Sequence, residues 1–266
     1  MNIIIHGPGR SGTTLFNKMF SYHPDFVWLS SWHNRFPTQA WLGFLNRIYQ
    51  DQWFGVDWSS AKRIPKPAEA YGFWTYYFNN FSSINPTEDH KKLEACKVFI
   101  ESLKKLSNKK HFVTKLTGES RKEILDQVFD KNYLVLWIER DPRVVVSSYI
   151  KQKWFYKNKP EEFAKLSMTD KIEFYANFYK QNFEGAKPLN RKLLKYEDLC
   201  DDPVLFFENL LEDLNLPFYK KHRNIIQQWQ LKAVNWESYS KKYSEEEKAL
   251  FNQLLKDEMD YLNYSV

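Results

Sequence analysis

The chain has 266 residues, 43% hydrophobic and 27% charged, with a net charge of +6, which excludes a disordered or collagen-like protein and suffices for one large domain over residues 1–266. Cys96 and Cys200 are the only cysteines, too few for a disulfide framework or a zinc site built from paired thiolates. No run approaches the roughly 20 apolar residues of a membrane span, so stable membrane insertion is not expected. The first apolar run begins at Asn2, next to Met1, which leaves no room for a signal peptide and gives the expectation of a cytoplasmic protein. The positive charge favours an anionic ligand without choosing one.

Asn2 to His6 is isoleucine-rich and ends at glycine, which predicts a fully buried strand of a parallel sheet. From Thr13 to about Tyr22, apolar Leu15, Phe16, Met19 and Phe20 have helical spacing. The segment 26–81 then concentrates aromatic residues, among them Trp28, Trp32, Trp41, Trp53, Trp58 and Trp74. Single rings here are core material, but the group suits a lid or wall for an acceptor, because amphipathic rings can hold sugar faces or other flat groups. A basic amphipathic helix is expected over Lys91 to Leu106, a strand at His111–Lys115, a helix over 121–130 and a buried strand at Leu134–Ile138. Asp141-Pro142 ends that strand, and a helix restarts near Arg143. Lys192–Lys195 supplies another strand, and from Pro203 onward the chain is largely helical around the polar aromatic loop "AVNWESYSKKYS". Strands alternating with helical crossovers predict an α/β three-layer sandwich with a central, mostly parallel sheet and ligands at the carboxyl ends of the strands.

The chemistry concentrates in "HGPGRSGTTLF", residues 6 to 16, at the first strand-to-helix junction. Gly7 and Gly12 have the spacing of a nucleoside-triphosphate phosphate loop, where backbone N–H groups and the helix dipole meet an anion. Thr13 stands where such a loop carries lysine, however, and the cation has moved to Arg10. After the strand ending at Ile138 come Glu139, Arg140 and Asp141, and Arg140 brings positive charge where a metal-holding carboxylate would be wanted. A donor that needs cations in place of Mg²⁺ fits this loop better than ATP or GTP.

"GPGRSGTTLF" followed by "HPD", then "VLWIERDPRVVVSSY" and "KYEDLCDDP", resembles the sulfotransferases of the cytosol and Golgi that use 3′-phosphoadenosine 5′-phosphosulfate (PAPS). The order and separation of the blocks match over at least residues 2 to 203. The resemblance implies a P-loop-like α/β fold and a donor loop formed by Arg10, Ser11, Gly12, Thr13 and Thr14, with Arg10 at the bridging oxygen. It further implies that Arg140 and Ser148 hold the 3′-phosphate and that Tyr196 lies near the adenine. Lys115, at the end of its strand, matches a lysine that holds the sulfonate. The RKGxxG stretch that clamps the 3′-phosphate in small-molecule cytosolic members is missing; Trp236, Ser238, Tyr239, Lys241 and Lys242 occupy that region.

Sulfonyl transfer resembles phosphoryl transfer, so positioning and electrostatics supply most of the rate, yet the acceptor hydroxyl must also lose a proton. Cytosolic members use a histidine two residues after the strand lysine, where this chain has Thr117; glycan-modifying members use a glutamate at the position of Ser31. His33, an imidazole, is the first candidate replacement and Glu69, a carboxylate within an aromatic stretch, the runner-up; the remaining alternative is a protein that has no base and binds the donor without efficient turnover. His6 is expected only to pack beside the loop. The resulting expectation is a PAPS-dependent sulfotransferase that needs no metal and acts on an acceptor hydroxyl, of a carbohydrate or small metabolite, with no nucleic-acid partner. An ATP- or GTP-dependent kinase and a non-catalytic nucleotide- or RNA-binding protein are the alternatives, although no RNP1-like run supports RNA binding.

Overall fold

The computed structural model describes residues 1–52, 65–78 and 89–265. Five strands, β1 (Asn2–His6), β2 (Phe26–Trp28), β3 (His111–Lys115), β4 (Leu134–Glu139) and β5 (Arg191–Lys195), form a sheet in the order β2-β3-β1-β4-β5. Every neighbouring pair is parallel, with Ile4 opposite Thr114 on one side and Val135 on the other. β1 is central because its Ile3, Ile4 and Ile5 are wholly buried and it receives strands on both sides.

Alternation along the strands builds two apolar layers. Ile4, Val135 and Trp137 face a cluster that includes Phe99, Val145, Val146, Tyr175 and Tyr179, from helices His90–Ser107, Pro142–Gln152 and Met168–Ala186. Ile3, Ile5, Leu136 and Ile138 face Phe16, Phe20, Phe207 and Leu211, from helices Thr13–Phe20 and Pro203–Asp213. Helices therefore cover both sheet faces, which is the three-layer α/β arrangement expected from the alternating pattern. The chain turns to opposite sides of β1 on its way to β3 and β4, so a crevice opens between the loops that leave the carboxyl ends of β1 and β4.

Most elements lie within two residues of their sequence expectation. The first helix stops at Phe20, short of Tyr22, and β2 is an addition: three fully buried residues within the aromatic segment are too few to show a periodicity. That segment divides in two. Trp28, Phe73 and Trp74 are core, whereas Phe36, Trp41 and Tyr76 are about half exposed; Trp53, Phe54, Trp58 and Phe81 lie outside the described residues. Both cysteines are buried and unpaired. Among the described residues, no helix is long and apolar enough to cross a membrane.

Candidate active site

The loop after β1 adopts backbone that few side chains tolerate. Gly12 caps the first helix at φ 100° and Arg10 lies at φ 71°, both in the left-handed region. Space is equally restricted: a Cβ on Gly9 would run into the Trp154 ring, and a Cβ on Gly12 into the Tyr196 ring. The two glycines thus admit aromatic rings from the segments that follow β4 and β5. No side chain caps the helix that begins at Thr13, and the Ser11 hydroxyl is buried without a hydrogen-bond partner. Uncapped first-turn N–H groups and an orphaned hydroxyl are what an enclosed oxyanion would satisfy.

Three groups of residues converge on this loop. Arg10 donates from Nε to the Ser148 hydroxyl at 3.2 Å, although the two are separated by 138 residues. Lys115 Nζ donates to Thr14 Oγ1 at 2.8 Å and stands 3.4 Å from Glu69 Oε1, and the Thr117 hydroxyl donates to that same carboxylate oxygen. The Arg140 guanidinium lies 4.7 Å above the Tyr196 ring and donates to the Val234 carbonyl at 2.9 Å; its Nε is buried without a partner. Glu69 reaches the site because residues 66–68 run antiparallel to residues 29–31. Ser31 N–H donates to the Lys66 carbonyl at 2.9 Å, and Ala68 N–H to that of Leu29 at 3.1 Å. Ser31 thus helps pin the segment that carries Glu69.

Burial pushes the Lys115 amine below the ordinary lysine pKa, and the Glu69 charge opposes that drop. His33 is placed differently. It is wholly buried, its Nδ1 accepts the Ser30 N–H at 2.9 Å, its ring meets Phe99 edge-on, and burial lowers its pKa to about 4. The structure therefore joins Glu69, and not His33, to Lys115 and the loop after β1.

The carboxylates at the end of β4 and just beyond it have other partners. Glu139 is buried beside Tyr179, whose hydroxyl donates to it at 3.4 Å, and burial raises its pKa well above the usual carboxylate range. Asp141 caps the following helix and pairs with the Arg143 guanidinium at 2.8 Å. Arg143 is 5% exposed and also donates to Asn252 and to the Ser265 carbonyl, so it ties down the C-terminal segment. In the missing-clamp region it is the Val234 carbonyl that meets Arg140, while Trp236 stacks toward Tyr243 and Lys242 lies 4.9 Å over the Tyr243 ring. Ser238 N–H donates to Asn235 in the cap of the short helix Trp236–Ser240, and Tyr239 and Lys241 belong to this same turn. Among the described residues, no three His, Cys, Asp or Glu side chains gather as a metal site.

Sequence comparison places the same loop in context: residues 2–220 match the sulfotransferase family. The chain belongs to that family. Sulfonate transfer is thus the chemistry its family and fold indicate. Among solved structures, the sulfotransferase STF9 from Mycobacterium avium is similar at a TM-score of 0.67 and 15% identity, over 99% of this chain and 77% of that one. The sulfotransferase domain from the curacin biosynthetic pathway gives 0.51 and 13%, over 99% and 98%. STF1 from Mycobacterium tuberculosis H37Rv gives 0.55 and 14%, over 95% and 76%. At such identities these likenesses concern the fold. A search of curated proteins finds no sequence match.

Two features of this sulfotransferase were not singled out in its sequence: Trp154 against Gly9, and the Thr117 hydroxyl on Glu69. Trp154 follows a helix whose register places Tyr149 beneath it, the two rings stacking at 4.7 Å. Tryptophan after a predicted helix carries no signal that it will cover a loop 145 residues earlier.

Proposed function

We propose that this protein transfers a sulfonate group from PAPS to an acceptor hydroxyl of a carbohydrate or other small metabolite, as one domain in which part of the segment 26–81 forms the acceptor wall. The observation that carries the reading is the convergence of Arg10, Ser148, Lys115 and Thr14 on a glycine-shaped loop that still has an unpartnered Ser11 hydroxyl. A donor with a charged group at each end suits cations divided in this way. Arg10, Ser11, Gly12, Thr13 and Thr14 would hold the 5′ end, Arg140 with Ser148 the 3′-phosphate, and Tyr196 the base. The orphaned Arg140 Nε supports the second assignment.

When bound, PAPS supplies an activated sulfonate, whose S–O bond to the 5′-phosphate breaks as the acceptor oxygen bonds to sulfur. Arg10 offsets the negative charge left on the phosphate, and Lys115 screens the sulfonate oxygens. The proton of the acceptor hydroxyl passes to Glu69, whose carboxylate is oriented by Thr117 and Lys115. His33 takes no proton in this scheme, being enclosed by Ser30 and Phe99. Tyr71 is partly exposed beside Glu69, its hydroxyl donating to the Thr117 carbonyl at 3.4 Å, and it offers a ring face to the acceptor.

The test is transfer itself. Radiolabelled PAPS is incubated with the protein in EDTA and a panel of sugars, phenols and alcohols. Label appearing on an acceptor with equal release of 3′-phosphoadenosine 5′-phosphate (PAP) supports the proposal; PAPS left untouched, with ATP consumed in a parallel reaction that contains Mg²⁺ and no EDTA, overturns it.

A further inference from the structure

We infer that His6, in the sheet and outside the donor loop, is a positioning residue that couples that loop to the loop carrying Thr117. The inference rests on the function proposed above, for which both loops serve one reaction. His6 is wholly buried and stacks on Trp137 at 4.9 Å with the rings 8° from parallel. Its Nδ1 accepts the Gly7 N–H at 2.7 Å, which requires an unprotonated nitrogen. Its Nε2 lies 3.1 Å from the Glu119 carbonyl, which can only accept, so Nε2 carries the hydrogen. One neutral tautomer satisfies both contacts. Burial keeps the ring in that form by lowering its pKa to about 3.

Each contact lands where the site needs rigidity. Gly7 opens the donor loop at φ 153°, close to the Ser11 hydroxyl and the Ile138 carbonyl, so the direction of its N–H sets the start of the loop. Glu119 belongs to the turn 117–121, whose Thr117 and Glu119 carbonyls also accept from Arg121 Nη1 at 3.0 and 2.7 Å. That turn presents the Thr117 hydroxyl to Glu69. His6 therefore links the first residue of the donor loop to the turn that aims the proposed base, and a merely space-filling ring would need neither hydrogen bond.

The two contacts can be removed separately, because an asparagine amide oxygen reproduces Nδ1 and a glutamine amide nitrogen reproduces Nε2. In His6→Asn, PAP affinity measured by calorimetry stays within about twofold of the parent while amide exchange of residues 116–121, read by mass spectrometry, accelerates. In His6→Gln, exchange of 116–121 is unchanged and PAP binds about tenfold more weakly, the equivalent of about 1.4 kcal/mol. Equal loss of PAP affinity in both variants, or unchanged exchange in His6→Asn, overturns the coupling. Should either variant fail to fold, ¹⁵N NMR of the unmodified protein decides: the Nε2–H tautomer is required, and the Nδ1–H tautomer or an imidazolium at neutral pH refutes the inference. The tautomer needs no ligand, so absence of PAP binding by the unmodified protein would count against the proposed function and not against the geometry of His6.

Discussion

Replacing Glu69 by glutamine keeps the shape of the side chain and deletes the charge that faces Lys115 at 3.4 Å. Loss of a general base lowers turnover by about 10²- to 10⁴-fold, or about 3–5 kcal/mol of barrier. The carboxylate also supports the lysine: at an effective dielectric of about 20, the gross attraction at this separation is about 5 kcal/mol. Most of that is offset by desolvation of the lysine and by the 24% exposure of the Glu69 side chain. Lys115, already lowered by burial, must fall further once Glu69 is neutral. Its cation is present below its folded pKa and lost as pH rises through it, so the alkaline limb of the pH–rate profile should move to lower pH in Glu69→Gln. PAPS should bind as tightly as before or tighter, because a negative charge near the sulfonate has gone. Initial rates from about pH 6 to about pH 10, together with calorimetric PAPS binding, check each part. Turnover within about threefold of the parent, with an unmoved alkaline limb, would refute both the role of Glu69 and its coupling to Lys115.

Further substitutions separate binding from chemistry. Arg10→Ala and Lys115→Ala should each lower turnover by more than about tenfold beyond any change in PAP affinity, whereas Arg140→Ala should mainly weaken PAP binding, by about tenfold or more; steady-state kinetics beside calorimetry distinguishes the two patterns. Gly12→Ala pushes a Cβ into the Tyr196 ring at a backbone angle of +100° and should abolish measurable PAP binding while leaving the two-layer core folded, as circular dichroism would show. Four buried histidines set an acid limit. Burial lowers His6 and His222 to about 3 and His23 and His33 to about 4, against about 6.5 unfolded. The unfolded chain then binds more protons between about pH 6.5 and about pH 3, so stability is lost as pH falls through that window. Near pH 5 the four together approach about 5 kcal/mol per pH unit. Denaturant unfolding at a series of pH values measures this slope, and a flat profile contradicts it.

The comparison between residues and structure divides along sequence separation. β1, β3 and β4 are legible because buried parallel strands are short, apolar and sharply bounded, by Gly7 or by Asp141-Pro142. The glycine loop after β1 is legible because its residues are contiguous, whereas the contact of Arg10 with Ser148 is not: the resemblance pairs Ser148 with Arg140, and 138 residues separate Ser148 from Arg10. β2 escapes since a three-residue strand has no period. Trp28 and Trp74 are core, as expected of single rings in that segment, but which rings of the group are core is decided only by what packs on them. The environment of the proposed base escapes for a further reason. Thr117 reads as a position lacking a histidine, and its use as a donor to Glu69 depends on residues 66–68 docking on 29–31, a contact no local pattern encodes.

The central claim is the donor site, and the most direct measurement is calorimetric binding of PAP in EDTA, with ATP and 5′-AMP as controls. The account predicts tight, metal-free binding that depends on the 3′-phosphate. Absence of binding, or tighter binding of ATP in a matched titration with Mg²⁺ in place of EDTA, would contradict it.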